Sequence, residues 1–195
     1  AACKAVFVDS MITSDKRPSD QHRLAVPAKE RPYAQWQCTR VYPTSQPRQW
    51  RVISVYASRT RQKVKRAAPG GEGLVIDHFD RQAVAHYLNR FTQAFEYTKT
   101  PYPHTFFNDS YEVYKANWTP SLFDEFLKRR GYDLRDHLPE LLDGGDGNKA
   151  LHDYRETLSD LLYENFTQQW VAWAHRNGVS VRNQAHGSPA NLLDL

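Results

Sequence analysis

From about residue 50 onward, the chain alternates between short apolar runs and longer stretches with a helical repeat. The short runs are rich in β-branched and aromatic residues, which is typical of β-strands. Four such runs lie at residues 51–57, 74–77, 104–108 and 179–182. Between them, apolar side chains recur every three or four positions, which predicts amphipathic helices. Because strands that alternate with helices favour a mostly parallel sheet, the pattern predicts an α/β protein.

Capping residues mark the ends of the predicted helices. Asp80 is predicted to cap the first helix, because a short polar side chain there accepts hydrogen bonds from the first turn. Thr119 followed by Pro120 predicts the start of a second helix, and Gly131 predicts its end. A long helix is expected at 151–177.

Residues 1–47 differ from the rest of the chain. They are largely polar and contain prolines at positions 18, 27, 32, 43 and 47, and proline breaks helices and central strands. We therefore predict a poorly defined, Pro-rich segment of loop and edge structure at 1–47. A single α/β domain is expected at 48–195.

Composition narrows the classes of function. The 195 residues include 40% hydrophobic and 13% aromatic side chains, enough to bury a core. The net charge of +4 is too mild to indicate nucleic-acid binding, and no apolar run is long enough to span a membrane. Basic residues do cluster at 59–66, where a solvated strand edge is favoured over a phosphate-binding patch. Cys3 and Cys38 lack metal-site spacing and leave two alternatives, one disulfide or two thiols.

Polar side chains follow three of the predicted strands, at the point where each strand ends. The carboxyl ends of parallel strands meet at one edge of a sheet, so these side chains are expected to share a site. The predicted site residues are Asp77, His78, Asn108, Asp109, Glu112, Asn183 and His186.

Such a group of carboxylates, amides and histidines suits sugar binding, calcium binding or acid–base cleavage of a glycosidic bond. Glu112 is the best candidate acid, because partial desolvation beside Tyr111 and Val113 would raise its pKa. The alternative for Glu112 is a surface residue that pairs with Lys115. Asp77 equally well caps the following turn.

Five sequence motifs resemble those of glycoside hydrolase family 106. They are VKRAAPGGEGLVIDH (64–78), NDSYEV (108–113), NWTP (117–120), KRRGYDL (128–134) and DYRET (153–157). The resemblance implies an inverting, calcium-dependent α-L-rhamnosidase with a (β/α)8 catalytic barrel. The expected fold is therefore a partial (β/α)8 TIM-type barrel with about four parallel strands and flanking helices, and 48–195 would be its N-terminal half.

The resemblance also implies residue roles and partners. Glu112 would be the general acid, the general base would lie beyond Leu195, and Asp77, His78, Asn108, Asp109, Asn183 and His186 would bind substrate. Expected partners are a rhamnose-containing oligosaccharide or glycoside and either the remainder of the barrel or another copy of the chain, with no nucleic acid or membrane. A periplasmic or secreted location is favoured. The alternative function is a non-catalytic carbohydrate-binding or assembly module.

Overall fold

The structure is a computed structural model that describes residues 2–30, 33–145 and 147–185. Its contacts divide the chain into two compact units. The sheet unit consists of Cys3–Arg59 and Pro120–Tyr154. The site unit contains residue 2, Thr60–Thr119 and the described residues from Arg155 onward.

The sheet unit contains a three-stranded antiparallel sheet. Its strands are β1 (Cys3–Thr13), β2 (Gln35–Pro43) and β3 (Gln49–Arg59), in the order β1-β3-β2. The β-branched residues of β3 explain its central position, because Val52, Ile53 and Val55 are fully buried there. A hydroxyl pair, Thr39 Oγ1 and Ser54 Oγ, lies 2.8 Å apart inside the same core.

Two short helices lie in the sheet unit, which also includes the first residues of a longer helix up to Tyr154. Helix α2 (Leu122–Arg130) ends at Gly131, whose φ of 78° is the left-handed conformation that glycine tolerates best. A 3₁₀ turn (Leu134–His137) leads into helix α3 (Leu138–Asp143). The fully buried leucines of these helices and of the turn form the helical side of the core. Removing a leucine side chain from water stabilises a fold by about 1.5–3 kcal/mol.

The site unit combines a two-stranded parallel sheet with helices. Strands β4 (Thr105–Asn108) and β5 (Ser180–Asn183) pair in parallel and in register. Helix α1 (Arg81–Thr98) starts at the predicted cap, where the Asp80 carboxylate accepts from Gln82 N–H at 2.8 Å. The predicted long helix consists of α4 (Lys149–Leu162), a π-helical turn (Tyr163–Gln168) and α5 (Gln169–Arg176).

The predicted partial barrel with four parallel strands is wrong. The strand predicted at 51–57 is β3, which runs antiparallel to both of its neighbours. The run at 74–77 forms only one isolated bridge, between Lys63 and Leu74. Among the described residues, only β4 and β5 pair in parallel. The physical reason is that β-branched residues favour a buried strand in either direction, so their pattern does not specify parallel pairing.

Two further expectations differ from the structure. Helix α2 begins at Leu122, with Ser121 at the cap position, and not after Thr119. Strands β1 and β2 form within the Pro-rich segment as the two edges of the sheet, and Pro43 lies at the last position of β2, where proline is tolerated. The division of the chain at residue 47 stays a prediction.

Two smaller observations bear on the earlier alternatives. Cys3 and Cys38 are thiols that no disulfide joins, and burial raises the pKa of the Cys38 thiol to about 11. Among the described residues, no helix is both long and apolar enough to cross a lipid bilayer.

Arg51 of β3 forms ion pairs with two carboxylates of the sheet unit. Its guanidinium binds the Asp9 carboxylate of β1 through Nε and Nη2, the latter at 2.6 Å. It also binds Asp143 at the end of α3 through both terminal nitrogens, with Nη2 to Oδ1 at 2.9 Å. One planar fork thereby joins a strand and a helix end to β3.

We expect Arg51→Lys to destabilise the sheet unit by about 1–2 kcal/mol, because an ammonium group cannot reproduce the paired bonds of the guanidinium. The matched control is Arg48→Lys, since Arg48 forms a solvent-exposed pair with Asp15 and such pairs contribute roughly 0–1 kcal/mol. Urea unfolding followed by circular dichroism measures both variants. Equal losses for the two would show that the fork geometry of Arg51 contributes nothing special.

Candidate functional site

The carboxyl ends of β4 and β5 bring two of the predicted site residues together. Asn108 and Asn183 are direct partners in the parallel register. The side-chain amide nitrogen of Asn108 donates to the side-chain oxygen Oδ1 of Asn183 at 2.8 Å. The backbone N–H of Gln184 donates to the Asn108 carbonyl at 3.0 Å and extends the pairing beyond the strand. His186, which was predicted to join them, lies outside the described residues.

A cleft of about 310 Å³ opens beside the end of β4. Of the predicted residues, His78, Asn108, Asp109 and Glu112 line this cleft, while Asp77 and Asn183 do not. Its wall consists of Gln62, Lys63, Val64, Lys65, Leu74, Val75, Ile76, His78, Tyr87, Asn108, Asp109, Ser110, Tyr111, Glu112, Val113 and Phe166. All of these residues belong to the site unit.

The side chain of Gln62 joins the two loops that form the cleft. Its amide nitrogen donates to the Glu112 backbone carbonyl, and its amide oxygen accepts from the Tyr114 backbone N–H at 3.0 Å. The loop that carries Gln62 is in turn held by bonds between Val64 N–H and the Gly73 carbonyl and between Val75 N–H and the Gln62 carbonyl. The Gln62 side chain therefore joins the two loops through their backbone, and backbone bonds hold the loop that carries Gln62.

Glu112 lies in the cleft as one member of an ion pair. Lys65 Nζ is 2.9 Å from Glu112 Oε2, and the Tyr114 hydroxyl donates to Oε1 at 3.3 Å. Lys65 lowers the pKa of the Glu112 carboxyl through its hydrogen bond and its charge, and Tyr114 acts in the same direction, whereas the charge of Asp109 opposes them. The pKa direction is thus opposite to the increase expected from desolvation, because the side chain is 41% exposed and paired. Its partner is Lys65 and not Lys115.

His78 forms an apolar floor with two aromatic rings. Tyr111 and Phe166 each contact the imidazole edge-on, at centroid distances of 4.8 and 4.7 Å. Burial lowers the pKa of His78 to about 4, so the ring is neutral at physiological pH. The buried Tyr111 hydroxyl has no hydrogen-bond partner among the described residues. The Tyr111 hydroxyl is enclosed, so the imidazole of His78 is the polar group of this floor that lines the cleft, and a neutral imidazole suits uncharged hydrogen-bonding groups such as those of a sugar.

Asp77 lies next to this floor, where only 5% of it is exposed. Its carboxylate accepts from the Phe79 backbone N–H at 3.0 Å, so it stabilises the turn that precedes α1. Burial raises the pKa of Asp77 to about 6, against the lowering effects of Thr119 and Phe79. Direct substrate contact by Asp77 stays a prediction.

The π-helical turn holds this region from the other side. Asn165 donates to the Phe79 carbonyl at 2.7 Å, and its neighbour Phe166 contacts His78. A π-helical turn inserts one extra residue per turn and is frequent at functional sites. The turn therefore allows Asn165 and Phe166 to reach the same loop.

An aromatic pocket of about 180 Å³ adjoins the cleft and shares Tyr87, Asn108 and Phe166 with it. The other lining residues are Leu88, Phe91, Phe106, Phe107, Trp170 and Trp173. Trp173 is oriented by a hydrogen bond from its indole nitrogen to Thr92 at 2.9 Å.

Several residues of the site were missed by sequence reasoning. Gln62 and Phe166 lie in none of the five motifs, Lys65 lies in the motif at 64–78 without a role predicted for it, and all three are far from Glu112 along the chain. The basic cluster at 59–66 was the available signal, but a solvated strand edge was favoured for it. Two members of this cluster, Lys63 and Lys65, in fact line the cleft.

The cleft also offers hard oxygen donors of the type that Ca²⁺ prefers, on Asn108 and Asp109, whereas the Glu112 carboxylate is already paired with Lys65. One Asp109 oxygen already accepts from the Ser110 backbone N–H at 2.8 Å. The donor chemistry fits calcium, and calcium binding stays a prediction.

The sequence profile of a glycoside hydrolase family, described as alpha-L-rhamnosidase, matches residues 37–194. A carboxylate in a cleft at the end of a strand is in keeping with this class. The chain belongs to glycoside hydrolase family 106.

Two similar proteins are both named as glycosidases, of different specificity. The chain is 30% identical over 156 residues to a protein of Formosa agariphila named "Putative beta-glucuronidase", a match that covers 75% of this chain and 13% of the relative. It is 32% identical to the structure of a rhamnosidase from Novosphingobium sp. PP1Y, with a TM-score of 0.60 over 73% of this chain and 15% of that one. The chain therefore spans about one seventh of the length of these relatives.

We expect Lys65→Gln to raise the pKa of the Glu112 carboxyl, because the variant removes the charge and the hydrogen bond that stabilise the ionised form. Titration of the glutamate carboxyl carbons by NMR measures the shift. The control is Lys115→Gln on the same loop, which leaves the ion pair intact. An unchanged Glu112 titration in Lys65→Gln would contradict the ion pair.

Asp77 gives a pH dependence of opposite origin. Its pKa is raised by folding from 3.8 to about 6, so its stabilising contribution is complete below about pH 4 and is lost as pH rises through about 6. Asp77→Asn removes the titration. The free energy of unfolding of the wild type, relative to this variant, should therefore fall by about 2.4 kcal/mol between about pH 4 and pH 7.5.

Urea unfolding of both proteins across that range measures the difference. A difference that is constant with pH would show that Asp77 keeps an ordinary pKa in the folded state.

Proposed function

We propose that this chain is part of a glycosidase that cleaves terminal α-L-rhamnosyl residues with inversion of configuration. The observation that carries the proposal is the position of Glu112, in a cleft at the carboxyl end of β4, in a member of glycoside hydrolase family 106. The substrate class is a rhamnose-containing oligosaccharide or glycoside.

Glu112 would act as the general acid that protonates the departing oxygen. An acid must carry a proton before it can donate one, and Lys65 favours the ionised form of Glu112. The acid would therefore form when a bound substrate separates the Glu112 carboxylate from Lys65 and the carboxylate takes up a proton from water. Desolvation of a carboxyl beneath a substrate raises its pKa, as a general acid requires.

The rest of the cleft would bind the sugar. Asn108 and Asp109 offer polar groups at the strand end, and His78 offers a neutral imidazole above an aromatic floor. The hydroxyl groups of a sugar can donate to and accept from these side chains, and a neutral sugar brings no charge into the cleft that would need a counterion. The aromatic pocket beside Asn108 provides apolar surface for the carbon face of a sugar or for an apolar aglycone.

We propose this activity for a longer protein of which the chain is one part, since each relative is about seven times the length of the matched segment. A second candidate is the hydrolysis of β-glucuronides, which is favoured by the name of the Formosa agariphila relative. Aryl α-L-rhamnoside and aryl β-glucuronide separate the two candidates, since each releases the same chromophore from a different sugar.

We expect Glu112→Gln in the full-length protein to lower kcat on a natural rhamnoside by about 10²–10⁴-fold with little change in KM. Glutamine keeps the size of glutamate but cannot donate a proton from a carboxyl group. The loss should be smaller on an aryl rhamnoside, because a good leaving group needs little protonation. Glu96→Gln, at an exposed position of α1, is the matched control.

An unchanged kcat in Glu112→Gln would remove Glu112 from catalysis. A wild-type protein that binds rhamnosides without hydrolysing them would favour the non-catalytic carbohydrate-binding module. Proton NMR of the first product anomer tests inversion, because an inverting enzyme releases β-L-rhamnose before mutarotation.

A further inference from the structure

Two lysines line the cleft on the wall that faces the Glu112 loop. Lys63 and Lys65 both contribute to its surface, and the Lys65 side chain is 58% exposed. A site for rhamnose, which is uncharged, has no need of two cationic side chains. Their position beside the candidate acid indicates a second function for this wall.

We propose that Lys65, assisted by Lys63, binds an anionic group, a carboxylate or a sulfate ester, on the sugar that carries the rhamnosyl residue. The inference rests on the proposed function of the cleft, and it narrows the substrate to rhamnosides of acidic sugars.

Lys65 lies close to the candidate acid. Lys65 Nζ lies 2.9 Å from Glu112 Oε2 and 5.3 Å from the ring centroid of Tyr114. If Glu112 protonates the glycosidic oxygen, the sugar on the far side of that oxygen lies next to Lys65. An acidic substituent on that sugar is then within reach of the ammonium group.

Replacing the Glu112 carboxylate at Lys65 by an anion of the substrate costs little free energy. An ion pair as exposed as Lys65–Glu112 contributes little net stability, so an incoming anion displaces the Glu112 carboxylate at small cost. The displacement moves Lys65 from one carboxylate to another and requires no new charge in the cleft. The ammonium is a compact charge on a flexible stem, which suits such an exchange.

The Gln62 side chain makes this exchange local. Because it holds the backbone at Glu112 and Tyr114, the ammonium of Lys65 moves while the loops stay in place. Loss of the ion pair should consequently leave the cleft intact.

The test compares kcat/KM for three rhamnosyl disaccharides of the same linkage, ending in glucose, glucuronate or sulfated glucose. The full-length wild type should prefer at least one acidic substrate over the neutral one by about tenfold, the scale of one charge-assisted hydrogen bond. The preference should shrink as salt is added. Preference for glucuronate alone or for sulfate alone supports the proposal and identifies the anion.

Lys65→Gln should lower the ratio of acidic to neutral kcat/KM to about one, and Lys65→Arg should retain most of it, because the positive charge is kept. Lys115→Gln, on the loop that carries Glu112 but outside the cleft, should keep the wild-type ratio. A wild type without acidic preference, or a Lys65→Gln variant that keeps it, overturns the proposal.

A binding measurement separates this proposal from the rhamnosidase assignment. Titration calorimetry with methyl glucuronide, sulfated methyl glucoside and neutral methyl glucoside needs no hydrolysis. Absence of rhamnoside hydrolysis would overturn the rhamnosidase assignment, whereas equal binding of the three glycosides by wild type and Lys65→Gln would overturn the role of Lys65. Selective binding of an acidic glycoside that Lys65→Gln loses would support the anion site by itself.

Discussion

The candidate site depends on the side-chain amide of Gln62. A primary amide has one donor side and one acceptor side, and here each is used on a backbone group of the loop that carries Glu112. The two bonds fix the orientation of the amide and the separation of the two loops. Without them, Lys65 and Glu112 would face each other across two independent surface loops, and the cleft would have no defined width.

Behind these loops lies a floor of packed rings. His78 is held between Tyr111 and Phe166, and Asn165 binds the loop that follows His78. The floor is neutral because burial disfavours the imidazolium, while the rim carries the charges of Lys65 and Glu112. Under the proposed function, this separation of neutral floor and charged rim would let one cleft take a hydroxyl-rich sugar and an acidic neighbour.

Local features of the fold were predictable from the sequence, and its long-range pairing was not. The cap at Asp80 and the glycine at 131 act on adjacent backbone groups, so residue type alone specifies them. The direction of β3 depends on partners from residues 1–47, whose pattern is weak. The pairing of Asn108 with Asn183 followed from a parallel arrangement of the last two strands, which the structure retains.

The site was predictable to the same limit. Strand ends located Asn108, Asp109 and Glu112, because polar residues after an apolar run mark the edge of a sheet. The pKa of Glu112 was not predictable, since it depends on Lys65, which lies 47 residues away in sequence. Neighbours in sequence suggested desolvation and Lys115, whereas contacts across the cleft decide the electrostatics.

The central claim is that the cleft at the end of β4 binds the sugar. Its most direct test is NMR chemical-shift mapping with a rhamnose-configured iminosugar, a stable mimic of the charged transition state. The account predicts that the largest shifts occur at residues 108–113 and at Lys65 and His78. Shifts confined to the groove lined by Arg81, Asn89 and Gln169, on the α1 and α5 helices, would contradict it.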